Sequence, residues 1–376
     1  MKVVHVSTLY HPFAGGLEIA VQRIAEEQRN LMNNVFIATS NFTGFLESTD
    51  RINGVAVIRV KVLRSRYPYL IYPMEIPRIL LEKADIIHGW SHNYLFVYKL
   101  IRYAKKVLNK PIVVYFIGID YLKKHYNPFI RFIGRPYQKI ITKLFINTID
   151  LALVTNDYEK KILKEKYSIE SIVIPHGIDE IYITTSNIGK FFRDKYKIDS
   201  KIVSFIGRIH PTKGIDLLIK AFAMVSKEYL DTVLVIAGRG DERYIRKCLL
   251  LARKLGIANK IVYLGYVDEY DKIGLIDSSE LVVLPSLHAG ESYPMIVNEA
   301  KARGKPIVAT NYGSLPYLIL DGVEGVIVEA DPLSLANGII KVLSNAKRYH
   351  PVVRMHSWLE ITRILENLYA RVLDYD

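Results

Sequence analysis

The sequence predicts an α/β protein made of two doubly wound, mostly parallel sheets. Apolar runs such as residues 202–206 and 281–284 are typical of strands buried on both faces. Segments with apolar residues at helical spacing separate these runs. The alternation restarts near residue 202, and 376 residues are too many for one ordinary core. We therefore expect two domains.

The composition is that of a globular protein in a reducing compartment. Half of the residues are hydrophobic and 24% are charged. The single cysteine, Cys248, excludes an intrachain disulfide and a cysteine-rich metal site. The N-terminus enters a strand pattern directly and does not resemble a signal peptide, and no apolar run is long enough to span a membrane. The expected location is the cytoplasm, with peripheral attachment to the inner membrane face as an alternative.

A glycine pair near the N-terminus forms a candidate anion site. The pattern predicts a buried strand at residues 2–7 and a helix at residues 17–31. Gly15 and Gly16 lie in the loop between them, where free N–H groups and the helix dipole favour a phosphate. Glycine also lets a ligand approach the backbone closely. The alternative is an ordinary strand-to-helix turn.

The rest of the N-terminal half repeats the pattern of strands and helices. Further strands are predicted at residues 35–39, 55–60, 86–88, 111–115 and 151–155. His88 stands at the end of one of these strands, and Asp120 lies in the loop after another. An apolar run that ends in a Pro-His-Gly turn closes the half, and little regular structure is expected from there to residue 202.

The second half begins with a basic loop after its first strand. Arg208 and Lys213 follow the strand at residues 202–206 and would lie at the carboxyl edge of the sheet, beside a helix N-terminus. A planar guanidinium and an ammonium point charge are suited to clamp a diphosphate. Gly238 and Gly240 follow the next strand but lack the third glycine of a dinucleotide-binding fingerprint.

Two carboxylates mark a strand–helix–strand unit in the C-terminal third. The strand at residues 281–284 is followed by a loop that holds Glu291, and a helix from Met295 carries Glu299 about two turns later. Both side chains can therefore face one crevice above the sheet, where carboxylates accept hydrogen bonds from vicinal hydroxyls of a sugar or a ribose. The alternative is a solvated loop with a surface helix, because this spacing also arises by chance.

Positive charge is concentrated in one aromatic-rich segment. The formal net charge is +13, and the excess peaks at residues 121–149, which contain no acidic residue. The basic residues of this segment are Lys123, Lys124, Arg131, Arg135, Lys139 and Lys143. Three explanations are open: a surface for anionic lipid head groups, a site for an anionic acceptor or nucleic acid, and a helix with a solvated basic face and a buried aromatic face. No nucleic-acid-binding signature supports nucleic acid.

Several motifs occur together along the chain. They are Gly207-Arg208 with Lys213-Gly214, Glu291 and Glu299 separated by seven residues, the segment 304–309, the Gly15-Gly16 loop and the segment 174–179. Together these motifs resemble the retaining glycosyltransferases of family 4. The resemblance implies the GT-B fold, in which two Rossmann-like domains face a central cleft.

The resemblance implies a role for each matching residue. Arg208 and Lys213 would hold the donor diphosphate and stabilise charge on it as it leaves. Glu291 would bind the transferred sugar and stabilise positive charge on its ring, and Glu299 would bind the ribose. The reaction would retain the anomeric configuration, and neither a metal nor another cofactor is expected. Further donor contacts would come from Gly15, Gly16, Gly207, Tyr293, Pro294, Met295 and Ile296.

The sequence departs from the family pattern in the loop after one N-terminal strand. Many family members carry a histidine there, and this chain has Ile117 at that position. The missing imidazole would contact the donor sugar, and His88 or Asp120 would take its place as a contact to the sugar or the acceptor. Ser292 and Pro294 also replace glycines of many members. Proline removes one N–H donor.

The resemblance also assigns domains and partners. Residues 1–178 would form an acceptor-side domain, completed by a C-terminal helix at about 356–376, and residues 179–355 would bind the nucleotide-sugar donor. The acceptor would be a glycan or a lipid-linked glycan, with an anionic membrane surface as a further partner and no nucleic acid. Two other functions stay open. One is a nucleotide-sugar isomerase of the 2-epimerase type, and the other is a catalytically degenerate nucleotide-sugar-binding subunit, which Ile117 suggests.

Overall fold

The computed structural model describes residues 1–13, 15–44, 46–65, 67–124, 127–287, 290–352 and 355–374. The chain divides into a first unit, Met1–Gly177 with His356–Asp376, and a second unit, Ile178–Met355. Each unit has its own hydrophobic core around a mostly parallel sheet. The predicted fold class is therefore confirmed.

The first unit contains ten strands and six helices within its described residues. Its strands are β1 (Lys2–Val6), β2 (Asn34–Ser40), β3 (Thr49–Ile52), β4 (Val55–Val60), β5 (Val62–Leu63), β6 (Tyr72–Pro73), β7 (Ile86–Trp90), β8 (Ile112–Phe116), β9 (Leu151–Val154) and β10 (Ile172–Val173). Its helices are α1 (Gly16–Asn30), α2 (Arg78–Glu82), α3 (Leu95–Leu108), α4 (Pro128–Ile146), α5 (Asp157–Tyr167) and α14 (Trp358–Asp374).

The main sheet of the first unit has the order β10-β9-β8-β7-β1-β2-β4-β3. Its neighbouring strands are parallel except for β3 and β4, and β5 and β6 form a separate antiparallel pair. The central strands β7 and β8 are buried along their whole length. Because such strands need cover on both faces, helices pack on each side of the sheet. Glu366 of α14 accepts hydrogen bonds from Gln28 and Asn33 at 2.8 and 2.9 Å, which fixes α14 beside α1.

Helix α4 exposes two of the aromatic residues that one sequence-based explanation placed in the core. Its N-cap is Asn127, whose side chain accepts from the backbone N–H groups of Phe129 and Ile130. Phe129 and Phe132 are nevertheless 65% and 79% exposed. The explanation with a buried aromatic face is therefore wrong for these two residues. No helix among the described residues is both long and apolar enough to cross a bilayer.

The second unit contains six strands and eight helices, all of them in the described part of the chain. Its strands are β11 (Lys201–Ile206), β12 (Thr232–Ala237), β13 (Ile261–Gly265), β14 (Ser279–Leu284), β15 (Ile307–Thr310) and β16 (Gly325–Val328). Its helices are α6 (Ile181–Thr184), α7 (Gly189–Tyr196), α8 (Ile215–Glu228), α9 (Glu242–Lys254), α10 (Glu269–Ser278), α11 (Met295–Ala302), α12 (Leu315–Leu318) and α13 (Pro332–Ser344).

The sheet of the second unit is parallel throughout, in the order β13-β12-β11-β14-β15-β16. Helices α6 and α7 lie where little regular structure was expected, so that prediction was wrong. These helices are too short to show a clear periodicity, and packing stabilises them instead. Phe192 of α7 is buried, and a Cβ on Gly189 would lie 3.1 Å from the backbone of α10.

Candidate functional site

The candidate site lies at the carboxyl edge of the sheet in the second unit. Strand β11 pairs with β12 on one side and with β14 on the other. The connections that follow β11 and β14 therefore lead to opposite sides of the sheet, and open α/β sheets bind ligands at such a switch point. The two loops carry Arg208, Lys213 and Glu291. The fold thus brings the two predicted motif loops next to each other.

An ion pair joins these two loops. Lys213 Nζ lies 2.7 Å from Oε1 and 2.5 Å from Oε2 of Glu291. The two side chains are only 18% and 9% exposed. Both charges are largely shielded from water, so each depends on the other for compensation. The sequence predicted both residues at the site but did not predict this contact.

Two serines hold the Glu291 segment in place. Ser286 Oγ donates to Glu291 Oε2 at 2.8 Å. Ser314 Oγ lies 2.5 and 2.6 Å from the backbone carbonyl oxygens of Glu291 and Ser292, and its hydroxyl donates to one or the other of them. Neither serine was predicted as a site residue. Only their positions in the sequence could have indicated a role at the site, because each serine follows shortly after a buried strand.

Two glycines allow the loops to approach each other closely. Gly214 has a φ of +66°, and a Cβ there would overlap the carbonyl oxygen of Pro285. Gly238 has a φ of +140°, and a Cβ there would overlap the carbonyl oxygen of Gly207. Both φ values lie where residues with side chains are strained. Gly238 does not belong to a dinucleotide fingerprint, and the structure gives it this packing role instead.

Arg208 provides an exposed guanidinium at the same edge. The loop starts at Gly207, whose N–H donates to the carbonyl oxygen of Ala237 at 3.0 Å. The Arg208 side chain is exposed and forms no hydrogen bond or ion pair with the residues that the structure describes. Its donors therefore remain available for an anionic ligand.

Glu299 belongs to a charged cluster formed by α10 and α11. Lys272 Nζ lies 3.0 Å from Glu299 Oε1 and 3.1 Å from Glu269 Oε1. Tyr182 O–H donates to Glu269 at 2.5 Å. Burial raises the pKa of Glu299, and the nearby Lys272 opposes this only in part. Burial lowers the pKa of Lys272, but the two carboxylates outweigh it, so the net pKa is raised. Two carboxylates thus share the ammonium of Lys272. The sequence did not predict Lys272 as a partner of Glu299.

The first turn of α11 holds the remaining predicted donor contacts of this unit. Pro294 is the N-cap, and Tyr293 O–H donates to Asn298 Oδ1 at 2.9 Å. Burial raises the pKa of Tyr293 to about 12. Met295 is half-buried, whereas Ile296 is buried in the core. Since the first N–H groups of a helix lack intrahelical acceptors, this turn offers backbone donors to a ligand.

In the first unit, Gly15 and Gly16 lie at the start of α1. Gly15 is the N-cap and supplies no side-chain hydrogen bond. Both residues are exposed, and a Cβ on Gly16 would meet nothing within 4 Å. Packing therefore does not require glycine at position 16. The helix start is accessible, as an anion site requires.

His88 lies inside the sheet of the first unit and not at its edge. Strand β7 continues to Trp90, past the predicted end at residue 88, and His88 is 0% exposed. Its Nδ1 lies 2.5 Å from the hydroxyl oxygen of Tyr369, and its ring stacks on Trp90 and Tyr115. The structure contradicts the predicted contact of His88 with a sugar or an acceptor, because the strand was predicted too short.

Asp120 is also withdrawn from solvent. It is 2% exposed, and its Oδ2 lies 3.4 Å from Lys166 Nζ and 3.7 Å from Lys124 Nζ. Tyr158 O–H donates to the same oxygen at 3.2 Å. The carboxylate is thus paired with groups of its own unit, and its contact with a sugar or an acceptor stays a prediction. The carbonyl oxygen of Ile117 accepts a hydrogen bond from Asn93 at 3.0 Å.

Two further features concern cofactors and cavities. Within the described ranges, no group of three His, Cys, Asp or Glu side chains is placed to hold a metal ion. A cavity of about 730 Å³ in the second unit is lined by Arg193, Ser279 and Lys305, among others. Because Ser279 starts β14, this cavity lies at the amino edge of the sheet, opposite the Lys213–Glu291 pair.

Two family models match the chain in succession. The model for glycosyltransferase family 4 matches residues 14–181, and the model for glycosyl transferases group 1 matches residues 190–354. These matches cover most of the first unit and most of the second.

Individual proteins agree with these matches. An uncharacterised glycosyltransferase of Methanocaldococcus jannaschii is 29% identical over 100% of this chain and 99% of its own length. The phosphatidyl-myo-inositol mannosyltransferase of Mycobacterium tuberculosis is 27% identical over 58% of this chain and 59% of its own length. The structure of HepE from Anabaena in complex with UDP and glucose has a TM-score of 0.75 at 18% identity, over 98% of this chain and 99% of that one. The chain therefore belongs to the glycosyltransferases of family 4 and has the GT-B fold.

Proposed function

We propose that this glycosyltransferase moves a sugar from a nucleotide-sugar donor to a glycan or a lipid-linked acceptor, with retention at the anomeric carbon and without a metal ion. The observation that carries the proposal is the shielded Lys213–Glu291 pair beside the exposed Arg208, at the switch point of the sheet. Departure of a diphosphate creates negative charge on the leaving group and positive charge on the sugar ring. Fixed charges of both signs at one place stabilise that separation.

The proposed steps assign Arg208 and Lys213 to the diphosphate. The bond between the anomeric carbon and the phosphate oxygen breaks, and its electron pair stays on the diphosphate. The two cations stabilise this charge. The acceptor hydroxyl oxygen bonds to the anomeric carbon on the same face, and its proton passes to the leaving phosphate oxygen. The protein supplies charge and position, and no side chain is needed as a covalent carrier.

The two glutamates are assigned to hydroxyl groups of the donor. Glu291 accepts from hydroxyls of the transferred sugar and faces the developing positive charge on its ring. Glu299 accepts from the ribose hydroxyls, and Lys272, 3.0 Å away, favours its ionised form at this buried position. The Anabaena structure that contains UDP and glucose supports a nucleotide-sugar donor.

Helix α4 supports a membrane-associated acceptor. It carries the exposed apolar residues Phe129, Phe132, Ile133 and Ile140. Phe132 and Ile133 follow Phe129 by three and four residues, and Ile140 follows Ile133 by seven, so all four share one side of the helix. Exposed basic residues lie on or beside this side, namely Arg135, Lys139 and Lys143. Apolar residues next to cations suit the surface of an anionic bilayer. The curated relative named as a phosphatidyl-myo-inositol mannosyltransferase is consistent with a lipid acceptor.

The donor assignment is tested by thermal shift without metal. The chain is screened against UDP, GDP, ADP and their common sugars, together with Arg208→Ala/Lys213→Ala and with the exposed control Lys220→Ala. A shift with one nucleotide that is lost in the double variant and kept in the control supports the proposed site. No shift with any nucleotide would contradict it. Donor binding without transfer to any acceptor would favour a binding subunit, and acceptor-independent conversion of the donor would favour an isomerase.

The membrane assignment is tested by cosedimentation with anionic liposomes. The variant with the six basic residues of segment 121–149 changed to Gln should pellet less than the unaltered chain. Phe129→Ser/Phe132→Ser keeps every charge and should also reduce pelleting, because the exposed apolar contact is lost. Unchanged pelleting of both variants would contradict the assignment.

A further inference from the structure

The first unit contains a strongly basic cavity that the proposed transfer reaction does not use. Its volume is about 440 Å³, and it is lined by Asp120, Lys123, Lys124, Arg135, Pro136, Lys139 and Lys166. Five of these residues are cationic and one is anionic, so the lining has a formal charge of +4. A volume of this order accommodates a small polar molecule.

The cations converge on one buried carboxylate. Asp120 lies 3.4 Å from Lys166, 3.7 Å from Lys124 and 4.0 Å from Lys123, measured between the nearest charged atoms. One carboxylate cannot neutralise three ammonium groups in a partly enclosed space. The mutual repulsion of the remaining charges falls when an anion enters.

Two tyrosines hold the lysines in position. Lys123 Nζ donates to Tyr167 Oη at 2.8 Å, and Lys124 Nζ donates to Tyr158 Oη at 3.1 Å. Each ammonium also lies over the ring of the same tyrosine, at 5.1 and 5.7 Å from the centroid. The lysines are therefore ordered before a ligand binds, which lowers the entropic cost of binding.

Arg135 and Lys139 leave their charges available. They lie one turn apart on α4 and are both exposed. Arg135 Nε donates to the carbonyl oxygen of Lys123 at 3.3 Å, which orients the guanidinium. Neither side chain forms an ion pair with a carboxylate in the described part of the chain. An oriented guanidinium beside an ammonium is suited to a phosphate group.

We propose that this cavity binds a phosphate monoester, supplied either by a phospholipid head group or by a free phosphorylated polyol. A monoester is close to a dianion at neutral pH, so it offsets more of the excess charge than a diester does. Helix α4 forms one wall of the cavity and also carries the exposed apolar residues. A lipid phosphate can therefore enter the cavity from a bilayer that contacts this helix.

The test measures binding by the full chain without a donor, so its outcome does not depend on the proposed reaction. Glycerol 3-phosphate is titrated by calorimetry. Pelleting is compared between phosphatidylcholine vesicles that contain phosphatidic acid and vesicles of equal charge that contain phosphatidylglycerol. Arg135→Gln/Lys139→Gln removes two cavity cations. Arg102→Gln/Lys106→Gln removes two exposed cations that lie one turn apart on α3 and neither line the cavity nor belong to α4, and it is the matched control.

We expect Arg135→Gln/Lys139→Gln to weaken monoester binding at least about tenfold and the control variant to weaken it less than about twofold. Binding of glycerol 3-phosphate identifies a free ligand, and binding of phosphatidic acid vesicles alone, in preference to phosphatidylglycerol, identifies a lipid. Equal losses in the two variants would overturn the proposal. So would failure of the unaltered chain to bind glycerol 3-phosphate together with no preference between the two kinds of vesicle.

Discussion

Acid is expected to destabilise the first unit because several of its histidines are buried in the neutral form. Burial lowers the pKa of His5 and His176 from 6.5 to about 4 and that of His92 to about 3. Burial also lowers the pKa of His88. The unfolded chain therefore binds protons below about pH 6.5, whereas the folded unit does not bind them until about pH 4. The free energy of unfolding falls as the pH decreases through this interval.

The contacts of His5 show why protonation of its imidazole ring is unfavourable. Its Nε2 lies 2.6 Å from Gln28 Oε1, and its Nδ1 accepts from Trp90 Nε1–H at 2.9 Å. The neutral ring with its proton on Nε2 satisfies both partners. A second proton on Nδ1 would place two N–H donors against each other. Protonation therefore requires this buried contact to open.

The size of the effect follows from the pKa difference. At about pH 5, one such histidine lowers the free energy of unfolding by about 2 kcal/mol relative to the value at high pH. His5, His92 and His176 together give about 6 kcal/mol. This is comparable with the whole stability of an ordinary domain, about 5–15 kcal/mol.

Tryptophan fluorescence measures this unit selectively. The sequence contains two tryptophans, Trp90 and Trp358, and both are buried in the first unit. Urea unfolding is followed at pH 7 and at about pH 5. His92→Leu removes a ring that stacks on Phe116 at 4.9 Å and should reduce the loss at the lower pH by about 2 kcal/mol. The exposed His11 is the control, because His11→Gln should restore nothing. An equal free energy of unfolding at both pH values would refute the reasoning.

Three predictions concern the second unit. In a double-mutant cycle, the effects of Lys213→Met and Glu291→Gln on the free energy of unfolding should show a coupling energy of about 1–3 kcal/mol, measured by urea unfolding followed by circular dichroism. Additive effects would argue against an energetic contribution of the ion pair. Lys301→Met leaves the carboxylate of Glu324, which is 0% exposed, without its ammonium partner, so it should lower the free energy of unfolding by about 3–5 kcal/mol in the same assay. A loss as small as that of a surface substitution would disprove this. Gly214→Ala should weaken nucleotide binding about tenfold or more by displacing the adjacent loop, and unchanged affinity in calorimetry would count against this.

The strands that position the site were predictable because they are buried on both faces. Residues 202–206 and 281–284 coincide with β11 and β14 within two residues at either end. An uninterrupted apolar run is a local signal that survives in the folded state. The polar residues after these strands, Arg208, Lys213 and Glu291, then follow from the rule that parallel sheets present their loops at one edge.

The errors arose where packing decides the structure. His88 was expected at an edge, but its strand extends to Trp90 because aromatic rings and Tyr369 of a distant helix cover it. The sequence of α4 is compatible with a buried or an exposed aromatic face, and only the tertiary structure leaves Phe132 79% exposed. Periodicity shows that a helix has two faces but does not show which neighbour covers each face.

The sequence by itself determined the fold class and, for β11 and β14, the residues at the strand ends, because these depend on local pattern and chain direction. Tertiary structure decided which of these residues meet. Lys213 and Glu291 are 78 positions apart, and they touch only because β11 and β14 are neighbours in the sheet. The basic cavity likewise exists only because Lys166 of α5 reaches the same carboxylate as Lys124. Contacts between distant segments depend on the packing of the whole unit, which no single stretch of sequence contains.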